Sequence, residues 1–131
     1  EMEPLAARLA TPHVTSDRLD RLGQIVDDLA LMVGSDDHIA FSSVYYSFSD
    51  ALFAVTPNRT LVDLINELRA TSRRFTAIHS CTDLHRGSEE HLRGIHAAIA
   101  TGDGEDVARR VRVHRQWALD ALRSWVGTNT F

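Results

Sequence analysis

Seven histidines are the side chains of this 131-residue sequence most able to do chemistry, because an imidazole can act as a base, a hydrogen-bond partner or a metal ligand. Their spacing predicts no local metal site. His91 and His96 are five residues apart and so lie on different faces of a helix, and neither His-Glu-x-x-His nor Glu-x-x-His occurs. Four others lie at predicted helix ends or beside a predicted loop, where we expect exposure to solvent: His13, His38, His79 and His85.

His114 differs, because it lies on the apolar face of the last predicted helix, in register with Val107 and Val111. A buried imidazole without a hydrogen-bond partner costs about 1–3 kcal/mol, so another residue must satisfy it. Tyr45 and Ser49, four residues apart on the inward side of another helix, are the candidates. Either His114 is a core histidine bonded to a core tyrosine, or it is the wall of a polar pocket inside the protein.

An enzyme is not indicated. Ser49 and His114 could form a nucleophile and base, but no carboxylate on the inward faces would orient the imidazole, and no Gly-x-Ser-x-Gly elbow occurs. The net charge of −4 also disfavours binding to a phosphate backbone. The densest basic cluster alternates with valines and favours a solvated helix face: Arg109, Arg110, Arg112 and Arg115.

Apolar residues recur at helical spacing along the whole chain, which predicts an all-α fold, an antiparallel bundle of about six helices. The predicted helices cover about residues 1–10, 16–33, 37–55, 59–79, 88–100 and 105–126, with a loop at 80–87. Residues typical of helix N-caps stand before three of these helices: Thr15 and Ser16 before the second, Asn58 before the fourth and Asp103 before the sixth. On the fourth helix, the predicted inward stripe runs through Leu61, Ile65, Leu68, Ser72 and Phe75.

Length and composition favour one domain over residues 1–131. The single cysteine, Cys81, cannot form an internal disulfide, and neither a membrane-spanning run nor a signal peptide is present in the sequence. We therefore expect a cytoplasmic protein with no membrane partner. The helix-like opening, without a start methionine, predicts a fragment of a longer protein.

Several segments, in this order, resemble one known family: Glu3 to Ala10, Phe48 to Leu52 followed by Asn58, Arg93 to Ile95 followed by Ala98 and Ile99, Gly102 with Asp103, and His114. The chain resembles the C-terminal effector-binding (FCD) domain of GntR-type bacterial transcription regulators of the FadR branch. The resemblance implies a homodimeric domain that senses a metabolite. It also implies that DNA is bound only through an N-terminal winged helix-turn-helix domain, which is absent from this chain.

Many members of that family hold a divalent metal with an Asp and a His four residues apart and two later histidines. The corresponding positions here are Tyr45, Ser49, Leu92 and His114, so only the last ligand is kept. His91 is one residue out of register, which turns a side chain by about 100° around a helix. One imidazole, a hydroxyl and a phenol do not suit zinc, manganese or nickel. We therefore expect no metal and no cofactor, as in the fatty-acid-responsive FadR type.

The resulting hypothesis is a polar corner of Tyr45, Ser49 and His114, partly filled by Leu92, that anchors a small organic effector of carboxylate or acyl type. Arg73 is a further candidate partner for a carboxylate. The alternative is a dimerisation module with a degenerate, effector-free pocket. A sensor should have a cavity of a few hundred Å³ beside His114, whereas the dimerisation module should have Tyr45 packed against His114 without a void. A metal-dependent hydrolase would require several histidines to converge.

Overall fold

A computed structural model describes residues 2–72 and 84–128, with backbone alone at 71–72 and 125–128. Six α-helices, with a short 3₁₀ turn at Thr11–His13, make up this part of the chain: α1 Met2–Ala10, α2 Ser16–Leu31, α3 His38–Phe53, α4 Arg59–Ser72, α5 His85–Thr101 and α6 Gly104–Thr128. No strand occurs among these described residues. The predicted all-α bundle of about six helices is confirmed.

Three helices, α2, α4 and α6, begin close to where the sequence predicts them to begin. Side-chain oxygens of Thr15, Asn58 and Asp103 each accept a hydrogen bond from the backbone N–H three residues later, at 3.0 to 3.2 Å. Such N-caps satisfy donors that the first helical turn leaves open. At the other end of α5, Gly102 adopts a left-handed conformation with φ of 77°, which costs glycine little and ends the helix before α6.

Packing places α3, α5 and α6 around a common core. α1 lies against α6, α2 packs on α3 and α5, and α5 packs on α6. Phe41 and Phe48 of α3 are almost fully buried, as are Ile95 of α5 and Val107 of α6. These apolar contacts fix the inward faces of α3 and α6, and so fix the positions of Tyr45 and His114.

One predicted element bound and one predicted inward residue need correction. α5 starts at His85 rather than near Ser88, so the predicted loop is wrong for residues 85–87. The predicted continuation of α4 through 73–79 lies outside the described residues. Within α4, Leu68 is 54% exposed although it was expected inside, and Arg69 is buried instead. The inward stripe therefore continues from Ile65 by four residues to Arg69, whose charge is paired within the fold.

The expectation that His85 is exposed is also wrong. Its side chain is fully buried and stacks on Phe41 with ring centroids 3.8 Å apart. Its Nδ1 accepts a hydrogen bond of 3.1 Å from the backbone N–H of Gly34. The early start of α5 carries His85 into the core, where this acceptor role ties α5 to the turn after α2. His13 is exposed and His38 half-buried, whereas His79 lies outside the described residues.

Candidate functional site

The side chains of Tyr45 on α3 and His114 on α6 meet in the interior, where the Tyr45 hydroxyl and His114 Nε2 share a hydrogen bond. Both residues are buried. Together with Ser49 and Leu92 they line one cavity of about 30 Å³, which is room for about one water molecule. The structure thus brings together four of the five predicted site residues. The fifth, Arg73, lies outside the described residues.

His91 reaches the same imidazole from the side of α5. Its Nδ1 lies 2.8 Å from Nδ1 of His114, at hydrogen-bond distance. Trp117, one turn after His114, stacks near that ring with centroids 5.8 Å apart and meets the His91 ring edge-on at 4.8 Å. The sequence spacing predicted that Leu92, and not His91, is in register with the cavity, and Leu92 does line it. The contact between His91 and His114 was not foreseen.

Burial shifts the pKa values of two side chains in this cluster, those of Tyr45 and His91. It raises the pKa of the Tyr45 phenol well above its ordinary range, and the nearby Arg115 guanidinium opposes the rise only in part. Burial also lowers the pKa of His91, against the opposing effect of the Glu90 carboxylate. The Tyr45 phenol is therefore neutral at physiological pH.

The donor atoms of this cluster do not fit the family's metal. Both ring nitrogens of His114 are engaged, Nε2 by Tyr45 and Nδ1 by His91. This holds for either tautomer of the His114 ring. A metal ligand needs a free lone pair on one of them. The neutral phenol and the Ser49 hydroxyl are poor ligands for zinc or manganese. Within residues 2–72 and 84–128 no group of three or more His, Cys, Asp or Glu side chains is arranged to hold a metal ion.

A second space adjoins the His114 cavity. It is a groove of about 360 Å³, open to the surface and lined by residues of α1, α3, α4 and α6. The groove and the cavity share four lining residues, which form the wall between them: Glu3, Tyr46, Arg69 and Arg115.

Three of these wall residues form a network of ion pairs. Glu3 Oε1 accepts hydrogen bonds from Arg69 Nε at 3.0 Å and from Arg69 Nη2 at 2.8 Å. Glu3 Oε2 lies 2.8 Å from Arg115 Nε. On its other side, Arg69 Nη1 donates to Asp50 at 3.2 Å. One carboxylate from α1 therefore joins arginines from α4 and α6.

Glu3, Arg69 and Arg115 were not among the predicted site residues. A signal for Arg69 was present, because it follows Leu61 and Ile65 at intervals of four residues on one helical face. An arginine in such a stripe must find a buried partner. Nothing in the spacing identifies Glu3 as that partner, because 66 residues separate the two along the chain.

Comparison with known protein families decides the identity of the fold. The FCD domain model matches residues 1–116, which is most of the chain. The chain belongs to the FCD domain family. No curated protein and no solved structure matches it significantly.

As an FCD domain, the chain is an effector-binding regulatory domain, and its family is a regulatory rather than an enzymatic one. Among the residues that the structure describes, none of the helices is both long and apolar enough to cross a membrane. The match of the family model confirms the predicted membership in the family at the level of the domain.

Proposed function

We propose that this FCD domain is the metabolite-sensing and dimerising part of a GntR-type transcription regulator of the FadR branch, and that it binds its effector without a metal. The effector is a small organic molecule of carboxylate or acyl type. DNA is bound by a winged helix-turn-helix domain outside this chain. The observation that carries the metal-free part of this proposal is the engagement of both His114 ring nitrogens by Tyr45 and His91.

The volumes favour an effector whose bulk lies in the groove. The cavity beside His114, at about 30 Å³, is too small for a metabolite, whereas the adjoining groove of about 360 Å³ falls in the range of small-molecule sites. An effector that displaces part of the shared wall would bring its polar end close to Tyr45, Ser49 and His114. Leu92 contributes apolar surface to the lining of the cavity.

Signalling from this site is allosteric. An effector changes the output only if it binds one arrangement of the regulator more tightly than another. The groove is lined by α1 and α6, which pack against each other, and by α4. A ligand that pushes into the wall shifts α1 relative to α6, and that shift is the change that a neighbouring domain would sense.

A thermal-shift screen of the EDTA-treated domain against short carboxylates, sugar acids and fatty acyl-CoAs tests the sensor. A ligand at one hundred times its dissociation constant should stabilise the domain by about 2.7 kcal/mol. Ser49→Leu fills the cavity and should weaken the binding of any ligand found, while Ser43→Leu, on the exposed side of α3, should leave it unchanged. Equal binding by both variants would place the effector elsewhere.

Two measurements test the remaining parts. Elemental analysis should find no metal held at one equivalent per chain, and one tightly held metal would contradict the metal-free proposal. A gel shift should show no specific operator binding by this domain alone, because its basic residues are outnumbered by acidic ones.

A dimerisation module with an effector-free pocket is the second candidate. The small size of the cavity beside His114, with Tyr45 bonded to that ring, favours it. In that case no compound of the screen stabilises the domain, and sedimentation shows a dimer without any added compound.

A further inference from the structure

We propose that Glu3 occupies an anion-binding site made by Arg69 and Arg115, and that a carboxylate with an apolar body binds to the domain by taking the place of the Glu3 carboxylate. This inference rests on the proposed sensing function. It names the chemical class of the effector and the residue that the effector displaces.

The geometry around Glu3 is that of a bound carboxylate ligand. One oxygen receives two hydrogen bonds from the Arg69 guanidinium, at 3.0 and 2.8 Å, and the other lies 2.8 Å from Arg115 Nε. All three contacts are made to the carboxylate oxygens, so the site does not depend on the rest of the glutamate. A free carboxylate can make the same three contacts.

Arg69 is held in place independently of Glu3. Its side chain is 10% exposed and also pairs with Asp50 at 3.2 Å. Its guanidinium carbon lies over the rings of Tyr46 and Phe53, 5.6 and 5.3 Å from their centroids. These contacts keep the guanidinium in position after Glu3 leaves, so the site is preorganised for an incoming anion.

Glu3 is the exchangeable member of the site. Its carboxylate lines the groove, so a ligand in the groove can compete with it directly for the two guanidinium groups. Arg115 is half exposed and borders the groove, so a ligand can reach it from the surface. A ligand entering the groove therefore meets Arg115 first and Arg69 behind it.

The lining of the groove selects the class of ligand. The lining contains three arginines, at positions 69, 112 and 115, and one carboxylate, that of Glu3. The rest of its lining is largely apolar and includes Met2, Ile65, Leu68 and Leu119. Arginines at one wall and apolar side chains along the others suit a carboxylate head with an apolar body.

Isothermal titration calorimetry with octanoate tests the exchange. Acetate, which has the carboxylate without the apolar chain, and 1-octanol, which has the apolar chain without the carboxylate, serve as comparison probes. Glu3→Gln removes the competing charge and should tighten octanoate binding about tenfold, whereas Arg115→Gln should weaken it about tenfold, as expected for one charge-assisted hydrogen bond. Octanoate should bind more tightly than either acetate or 1-octanol. Glu105→Gln and Arg21→Gln, on exposed surfaces away from the groove, are the matched controls and should bind octanoate like the native chain.

A second measurement guards against loss of fold in the Glu3 variant. Glu3→Ala leaves Arg69 short of an anion, so octanoate should raise the Tm of this variant more than that of the native domain. An absence of octanoate binding, or affinities unchanged by both Glu3→Gln and Arg115→Gln, would overturn the exchange site.

The outcomes separate this inference from the proposed function. If a metabolite of the screen binds and its affinity changes with Ser49→Leu but not with Arg115→Gln, the domain is a sensor and the exchange site is wrong. If neither octanoate nor any metabolite binds, both proposals are wrong.

Discussion

The Tyr45 hydroxyl and His114 Nε2 form a buried hydrogen bond that joins α3 to α6 across 69 residues of sequence. The same imidazole is bonded to His91 through Nδ1, so three helices meet at one side chain. These two hydrogen bonds satisfy the polar atoms of the His114 ring, so a histidine can be accommodated on the apolar face of α6. Both of its nitrogens take part in these bonds, which supports the proposal that the position holds no metal.

Tyr45→Phe should lower the free energy of unfolding by about 1–2 kcal/mol, because it leaves His114 Nε2 buried without its partner. The double variant Tyr45→Phe/His114→Leu should be less destabilised than the sum of the two single variants, with a coupling of at least about 0.5 kcal/mol. Urea unfolding of all four proteins measures the cycle. Additive single effects would show that the bond contributes nothing specific.

The raised pKa of Tyr45 predicts a loss of stability at alkaline pH. In the unfolded chain a tyrosine deprotonates near pH 10, whereas in the fold burial keeps Tyr45 protonated at that pH. Above pH 10 the unfolded state therefore binds fewer protons than the native state, and the free energy of unfolding falls as pH rises. The contribution of Tyr45 is fully present below pH 10.

Comparison of the native domain with Tyr45→Phe between pH 9 and pH 11 isolates this effect. The free energy of unfolding of the native domain should fall more steeply, by up to about 1.4 kcal/mol per pH unit above pH 10. Parallel curves for the two proteins would mean that Tyr45 titrates normally in the fold.

A close approach between α5 and α6 predicts a difference between two glycines of α5. A Cβ added to Gly87 would lie 2.5 Å from Cζ2 of Trp117, whereas one added to Gly94 would meet only the end of the Arg110 side chain at 3.2 Å. Gly87→Ala should therefore displace the indole beside His91 and His114 and destabilise the domain by about 1–3 kcal/mol.

Gly94→Ala is the matched control in the same helix. It should stabilise the domain by about 0.5–1 kcal/mol through the lower conformational entropy of alanine, since the Arg110 side chain can move aside. Guanidinium unfolding of both variants checks the pair. Similar changes in both would contradict the packing of Trp117 against Gly87.

The fold and part of the site could be predicted because they depend on local periodicity. Apolar residues at helical spacing placed Tyr45 and Ser49 on one face of α3 and His114 on the inner face of α6, and the capping residues marked where helices begin. These features repeat within one or two turns, so the sequence displays them directly.

The remainder depends on contacts between residues far apart in the chain. Glu3 meets Arg69 and Arg115 only because α1 packs beside α6 and near α4. His91 was set aside because its register differs from that of Leu92, yet an imidazole spans the short distance between α5 and α6. The volume left beside His114 is set by packing of the whole core, which no residue pattern specifies.

His85 gives a direct test of a contact that the sequence did not suggest. His85→Leu keeps an apolar group against Phe41 but leaves the backbone N–H of Gly34 without its acceptor. The free energy of unfolding should fall by about 0.5–1.5 kcal/mol, the net contribution of one hydrogen bond, because water can reach the exposed Gly34. His13→Leu, at an exposed site, should change stability by no more than about 0.5 kcal/mol. Amide hydrogen exchange of Gly34 should be faster in His85→Leu and unchanged in His13→Leu. Equal protection of Gly34 in the two variants would show that His85 packs in the core without accepting that hydrogen bond.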